Sequence, residues 1–132
     1  MKKQVENWLL LADKDISAAG ILLKNEYPLT NIVAFHCQQA IEKYLKAFLI
    51  EKDIPVIKTH DLIKLNSMVN EVTNFGLDEK ELITINEVYI ESRYPGELGL
   101  IPDGMPSFKQ AKGFFEFAEK VKNLIKKEIL IA

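Results

Sequence analysis

The sequence predicts an all-α fold, an antiparallel up-and-down helical bundle of four main helices plus a short additional helix, in a single domain over residues 1–132. Apolar residues recur at spacings of three and four in five segments, which is the helical period. Turn-forming residues fall in only a few places between these segments. Evidence for strands is poor, because the β-branched stretch Ile54–Ile57 is short and contains Pro55. Helical segments joined by mostly short connections favour an antiparallel bundle.

The first two predicted helices carry the clearest apolar stripes. The first should run from about Val5 to Lys24, and Thr30 or Asn31 can cap the second. The stripe of the first helix consists of Trp8, Ala12, Ile16, Ala19 and Leu23. The apolar face of the second consists of Ala34, Cys37, Ile41, Tyr44, Leu45 and Phe48. Both faces should turn toward the core.

The last three helices are predicted from their starting residues as much as from their periodicity. A short third helix begins near residues 59–62. The fourth opens with residues 78–81, where Glu81 can reach back to the Asp78 amide in a capping arrangement. Residues 107–110 start the last helix in a similar way. Its apolar positions are Ala111, Phe114, Phe115, Ala118, Val121 and Ile125.

The composition is that of a globular chain. Hydrophobic residues make up 48% of the 132 residues, charged residues make up 27%, and the formal net charge is −2. The protein as a whole therefore does not attract nucleic acid or acidic membranes by its charge. The N-terminal residues do not resemble a secretory signal, and no apolar run approaches the roughly 20 residues that a membrane span needs. We expect a cytoplasmic protein with no membrane partner.

The cysteine and histidine content predicts neither disulfide nor metal site. Cys37 is the only cysteine, and its apolar neighbours favour a buried, unreactive thiol. The two histidines are far apart in sequence and do not suggest a zinc site. The sequence also lacks a Gly-rich phosphate loop and the common nucleophile motifs. We therefore predict no cofactor.

Polar residues of the second helix form the first candidate site. Gln39, Glu42, Lys43 and Lys46 lie three and four residues apart and share one face of the helix. One interpretation is a solvated face with a Glu42–Lys46 pair. The other is a polar wall that lines a cleft or a dimer interface.

His60 and Asp61 stand at the predicted start of the third helix. A helix N-terminus has free N–H groups and favours an anion, so this position could bind phosphate. Asp61 also suits the position as a cap, and its charge would then compete with a bound phosphate. His60 titrates near neutrality and could donate to a phosphate or to Asp61.

The turn that ends the fourth helix contains Arg93, Tyr94 and Pro95. Pro95 disfavours helical geometry at Tyr94, which leaves Arg93 on the last turn. Its planar guanidinium suits bidentate binding of phosphate, although a pairing with a nearby glutamate is the alternative. Residues 70–104 hold eight acids against two basic residues, a balance of −6, whereas residues 106–132 hold six lysines against three glutamates, a balance of +3.

Four separated segments resemble the HEPN domain family. The run FHCQQAIEKYLKA at residues 35–47 is similar to the family's second-helix signature. Residues 59–62 (THDL), residues 93–95 (RYP) and the pattern Ala12-Lys14-Asp15-Ala19 in the first helix also match, in the right order. The resemblance implies a helical bundle that usually dimerises. It also implies a small prokaryotic gene product, often encoded beside a minimal nucleotidyltransferase in pairs that resemble toxin–antitoxin systems.

Two activities are implied by the resemblance. One is nucleotide binding, and the other is metal-independent RNA cleavage by an Arg followed four to six residues later by His, commonly at a site formed across a dimer. Arg93 matches the first half of that motif, but no histidine follows it. RNA cleavage through the 2′-hydroxyl needs a group that moves protons, which Arg cannot do. His60 or His36 could substitute if the fold brings one of them near Arg93.

The prediction is therefore an HEPN-type module that binds a nucleotide or an RNA phosphate and pairs with a minimal nucleotidyltransferase. Arg93 would engage phosphate, Tyr94 would stack or hydrogen-bond, and Gln39, Lys43 and Lys46 would form the opposite wall. One alternative is a ribonuclease toxin with Arg93 and His60 as catalytic residues. Another is a protein–protein scaffold in which Tyr94 is a modification acceptor.

A homodimer is a separate prediction from the last helix. Its phenylalanines are spread around more than one helix face, and exposed aromatic surface favours an interface. The alternative is that some of them fold under the preceding loop. The residues concerned are Phe108, Phe114, Phe115 and Phe117.

Overall fold

A computed structural model describes residues 1–26, 28–93 and 105–131, with the side chains of residues 92, 93 and 131 excepted. Five helices follow one another: α1 (Lys3–Leu23), α2 (Thr30–Glu51), α3 (Leu62–Asn70), α4 (Glu79–Arg93) and α5 (Phe108–Ile131). All regular secondary structure in these ranges is helical. The predicted all-α class, with four main helices and a short one, is confirmed.

Side chains cap three of the helices as their sequences indicate. Asp61 caps α3, since its carboxylate accepts from the amides of Ile63 and Lys64. Asp78 Oδ1 accepts from the Lys80 amide at the start of α4. At α5, Ser107 and Gln110 bond reciprocally, amide to side chain, at 2.8 and 3.0 Å, which is a capping box.

The predicted cap of α2 is wrong. The residue in the N-cap position is Leu29, with no side-chain hydrogen bond, and Thr30 is already helical. Backbone carbonyls accept instead from two amides of the first turn, because Thr30 N–H donates to Pro28 and Ile32 N–H donates to Leu29, each at 3.0 Å.

The core forms around α2, which packs against each of the other four helices. Tyr44, Leu45 and Phe48 are fully buried. Because α2 contacts all four other helices, even two of its charged residues, Glu42 and Lys46, become buried. Charged groups can occupy such positions only when they are paired.

A tight turn after α2 sets the direction of the segment that leads to α3. Asp53 has a positive φ of 59°. The amide of Ile54 donates to the Leu49 carbonyl at 2.9 Å, and the Asp53 amide donates to the Ile50 carbonyl at 3.0 Å. This pattern is the Schellman motif of a helix C-terminus. Lys2 adds a clamp, because its Nζ donates to the Ile50 carbonyl at 2.9 Å and pairs with Asp53.

The phenylalanines of α5 are mostly accommodated within the monomer. Phe114 and Phe117 are buried, and Phe115 packs against Gly20 of α1. Phe108 remains 51% exposed. No helix among the described residues is long and apolar enough to span a membrane.

Candidate functional site

Glu42 of α2 is the centre of a buried group of charged side chains. The residue is 3% exposed. Its Oε2 accepts from Lys46 Nζ at 3.0 Å, and its Oε1 accepts from His60 Nδ1 at 2.8 Å. The interpretation of this stripe as a solvated face is therefore wrong for Glu42 and Lys46, since both are buried, whereas the Glu42–Lys46 pair that it predicted is present. A buried carboxylate with both oxygens paired is stable where an unpaired one is not.

Buried amides hold His60 against α2. Gln38, which is fully buried, donates through Nε2 to the backbone carbonyl of His60 at 2.8 Å. Gln39 in turn donates to Gln38 Oε1 at 2.8 Å. These bonds fix the backbone of His60, while Glu42 fixes its ring.

His60 combines a fixed ring with an open edge. Its side chain is 66% exposed although Glu42 is only 4% exposed. Because an ionised carboxylate can only accept, Nδ1 is the nitrogen that carries a proton toward Glu42. Nε2 makes no hydrogen bond within the described part of the chain, and it can accept or donate a proton at the surface. A carboxylate that orients an imidazole in this way is the arrangement of a general acid–base.

Two adjoining cavities share Lys46 and Lys58 as lining residues. The small cavity has a volume of about 320 Å³ and is lined by Lys46, Lys58, Thr59 and His60. The large cavity, of about 610 Å³, extends from there between the start of α1 and the segment Ile54–Lys58. Both volumes lie in the range of small-molecule sites.

Lys46 connects the charged group to both cavities. It is 7% exposed, and its Nζ lies 5.5 Å from the centroid of the Trp8 ring. An ammonium group has three N–H donors, and Glu42 takes one of them. No other acceptor among the described residues bonds Lys46, so donors remain for a ligand in the cavities.

A second charged group connects α1 to α2 and α5. Asp15 is buried, and it accepts from His36 Nδ1 at 2.8 Å and from Lys43 Nζ at 2.5 Å. Asp13 bonds the Tyr44 hydroxyl at 2.5 Å and Lys126 Nζ at 2.7 Å. These contacts tie three helices together.

The pKa values of two neighbouring groups reflect this burial. Burial, with a smaller contribution from the Asp15 charge, raises the pKa of the Cys37 thiol to about 12. Burial first, then the hydrogen bond to Asp13, raises the pKa of Tyr44 above its ordinary value. The prediction of a buried thiol at Cys37 is confirmed by its zero exposure.

The structure divides the residues that the sequence grouped on one face of α2. Gln39, Glu42 and Lys46 lie with His60, whereas Lys43 points to Asp15 on α1. Asp61 follows His60, but its carboxylate is bonded to the first amides of α3 and, more weakly, to Asn86 at 3.5 Å. Asp61 therefore bonds the N-terminal amides of α3, the position at which the sequence suggested that phosphate could bind.

Of Arg93 and Tyr94, the structure describes only the backbone of Arg93. Arg93 is the last residue of α4, about one turn after Tyr89, and the Tyr89 ring stacks on Phe35 of α2 with centroids 5.9 Å apart. The side chain of Arg93 and all of Tyr94 lie outside the described residues.

Sequence reasoning missed Trp8, Lys58 and Thr59. Trp8 belongs to the apolar stripe of α1 and looked like an ordinary core residue, and it does pack partly against the core. Lys58 and Thr59 sit in a loop with no periodic signal. Within residues 1–26, 28–93 and 105–131, no three His, Cys, Asp or Glu residues cluster as a metal site would require.

The architecture defines a class, an α-helical bundle whose second helix carries a buried Glu–Lys pair that holds a histidine from the following loop. The HEPN domain family matches residues 5–129, and the chain belongs to this family. The structure is similar to the crystal structure of ST0689, an archaeal HEPN homologue. The TM-score is 0.74 at 24% identity, over 98% of this chain and 99% of that chain, a likeness of fold. No curated protein matches the sequence significantly.

Proposed function

We propose that this HEPN domain binds a nucleotide or RNA phosphate in the small cavity beside His60. The main supporting observation is that three of the four residues lining this cavity, Lys46, Lys58 and Thr59, can donate to an anion. The fourth, His60, can donate through Nε2 when its imidazole is protonated. The Thr59 oxygen accepts from the Asp61 amide at 3.0 Å, which leaves its hydroxyl hydrogen available as a donor.

The charge balance favours an anion at this position. Two lysines contribute +2 and Glu42 contributes −1, which gives +1 with His60 neutral. Asp53 is paired with Lys2, and Asp61, whose charge opposes an anion, is bonded to the first amides of α3. A phosphate oxygen would also replace water at a buried ammonium group, where electrostatic attraction is stronger than at an open surface.

Calorimetric titration with AMP, ATP and a short single-stranded RNA tests the proposal. Lys58→Ala should weaken binding, because Lys58 has no carboxylate partner in the described residues. Lys64→Ala, an exposed lysine on α3, is the matched control and should leave affinity unchanged. Binding should also weaken as salt rises. The proposal is wrong if none of the three ligands binds at about millimolar concentration, or if the two variants behave alike.

A second candidate, metal-independent RNA cleavage, is supported by the His60–Glu42 pair. His60 supplies the proton-transfer group that the sequence lacks after Arg93, and Lys46 could stabilise charge on the phosphate. Incubation with tRNA in the presence of EDTA should then give fragments, and His60→Ala should abolish them while His36→Ala does not. Cleavage that persists in His60→Ala would remove this histidine from the mechanism.

We also propose that the chain forms a homodimer and pairs with a minimal nucleotidyltransferase. Family membership supports the dimer, since HEPN domains often dimerise, whereas the pairing is proposed from the motif resemblance alone. Light scattering should give a mass near twice the 15.1 kDa of one chain, and a mass near that of one chain would contradict the dimer. Copurification of the product of an adjacent gene would support the pairing, and a nucleotide-sized mass increase on Tyr94 would make this tyrosine its target.

A further inference from the structure

The large cavity adjoins the small one but has a different chemical character. Besides Lys2, Gln4 and Asp53, its lining includes a set of apolar side chains: Trp8, Ile50, Ile54, Pro55, Val56 and Ile57. Lys46 and Lys58 stand where the two cavities meet. A ligand that fills both would therefore need an anionic end and a flat or apolar end, with a short connection between them.

Trp8 is placed to receive a planar group. Its ring is partly buried against the core yet lines the large cavity. Its Nε1 makes no hydrogen bond within the described residues, so it can donate to a ring nitrogen or a carbonyl of a ligand. Aromatic side chains next to cations are the usual platform for nucleobases, since every base has a π-face.

The segment after α2, which contributes to the lining of the large cavity, is held by fixed contacts. The Schellman turn at Asp53 fixes where the segment after α2 departs. Lys2 bonds the carbonyls of Ile50 and Glu51 and so joins the start of α1 to the end of α2. When the lining of a site is already ordered before binding, less binding free energy is lost in ordering the protein.

We infer that the large cavity takes the base of the bound nucleotide, stacked on Trp8, while its phosphate lies in the small cavity. This inference rests on the proposed phosphate site and adds the location and class of the base-binding half. The shared chemistry is a base joined through ribose to a phosphate. Its source is either a free nucleotide or one residue of a single-stranded RNA.

Trp8 provides its own reporter, because it is the only tryptophan of the chain. AMP, a 5′-phosphorylated oligoadenylate and ribose 5-phosphate are titrated separately, with calorimetry for affinity and fluorescence for Trp8. Saturable quenching by AMP identifies a free nucleotide, and quenching by the oligoadenylate alone identifies RNA. The ligand that quenches should bind roughly ten-fold or more tightly than ribose 5-phosphate, since stacking contributes about 1–3 kcal/mol per base.

Variants separate the base pocket from the phosphate site. Trp8→Leu should lower the affinity of the quenching ligand about ten-fold and leave ribose 5-phosphate unchanged. Ile57→Ser, at a position 37% exposed, tests the lining of the large cavity without disturbing the core. Ile63→Ser, at a position 36% exposed on α3, is its matched control. Equal binding of all three ligands without quenching overturns the base pocket but leaves the phosphate site standing. Absence of binding by all three overturns both.

Discussion

The molecule contains two histidine–carboxylate pairs that are similar in local chemistry and different in position. In both, His Nδ1 donates to a carboxylate oxygen at 2.8 Å, and a lysine of α2 binds the other oxygen. The Asp15–His36 pair lies between α1 and α2, and His36 is 26% exposed. The Glu42–His60 pair joins α2 to a loop, and His60 is 66% exposed.

The Asp15–His36 pair stabilises helix packing, whereas the Glu42–His60 pair belongs to the candidate binding site. His36 sits on a helix in contact with another helix, so its contacts with Asp15 stabilise the packing. His60 stands on a short loop with its free nitrogen at a cavity, and the buried charges of Glu42 and Lys46 orient it. The same residue types therefore stabilise in one place and offer binding chemistry in the other.

The largest expected effect is that of removing Glu42. Glu42→Ala leaves the Lys46 ammonium buried without a partner, and loss of one partner of a buried ion pair costs about 3–5 kcal/mol. Chemical denaturation measures the free energy of unfolding. Replacement of both charges in Glu42→Leu/Lys46→Met should recover most of the loss, because no unpaired charge remains. If the double variant is as unstable as the single one, the unpaired charge is not the cause.

Asp15→Ala should destabilise the protein less than Glu42→Ala does. The partners of Asp15 are closer to solvent, with Lys43 21% exposed and His36 26% exposed, so each can regain water when the carboxylate is lost. We expect a loss of about 1–3 kcal/mol, measured in the same denaturation experiment. A loss larger than that of Glu42→Ala would reverse the comparison and make the α1–α2 pair the more tightly coupled of the two.

The two histidines should give opposite results in stability and binding. His36→Ala should lower the free energy of unfolding by about 1–2 kcal/mol, because it removes a partly buried bond to a carboxylate. His60→Ala should lower it by less than about 1 kcal/mol, since exposed pairs contribute little. Binding of AMP should weaken in His60→Ala and stay unchanged in His36→Ala. If only His36→Ala lost AMP binding, the binding site would lie at the Asp15–His36 pair instead.

The effect that is smallest at neutral pH concerns the thiol beside Asp15. The pKa of Cys37 is raised from 9.0 to about 12 in the folded protein, so the folded chain keeps a proton that the unfolded chain loses above pH 9.0. Stability should therefore fall as pH rises from 9.0 toward 12. Cys37→Ala should make this fall shallower, and the raised pKa of Tyr44 should account for part of what remains. A thiol reagent should label native Cys37 slowly at mildly alkaline pH, and rapid labelling would show that this side of the bundle opens.

The helices and most of their N-terminal caps could be predicted from the local sequence. Asp61 and Ser107 cap their helices as predicted, since a side chain that bonds an amide two or three residues away acts locally. At α4 the contact found is Asp78 Oδ1 with the Lys80 amide, where the sequence suggested Glu81 with the Asp78 amide. The cap of α2 was not predicted correctly, because the backbone carbonyls of Pro28 and Leu29 accept from the first turn instead. Family membership also followed from short motifs that keep their order along the chain.

The candidate site needed tertiary structure because its members come from three parts of the chain. Helical periodicity places Glu42 and Lys46 on one face of α2 but does not say whether water or protein covers that face. It also cannot separate Lys43, which turns to Asp15, from Lys46, which turns to Trp8. That separation depends on where α1 lies against α2.

The sequence by itself determined a helical bundle of the HEPN family, because hydrophobic period and capping are encoded over a few residues. Only the tertiary structure decided which charged residues are buried and which open into a cavity. Burial depends on neighbours far apart along the chain, such as His60 and Glu42, which are 18 positions apart. The free energy of a charge changes more with that burial than with its place in the sequence.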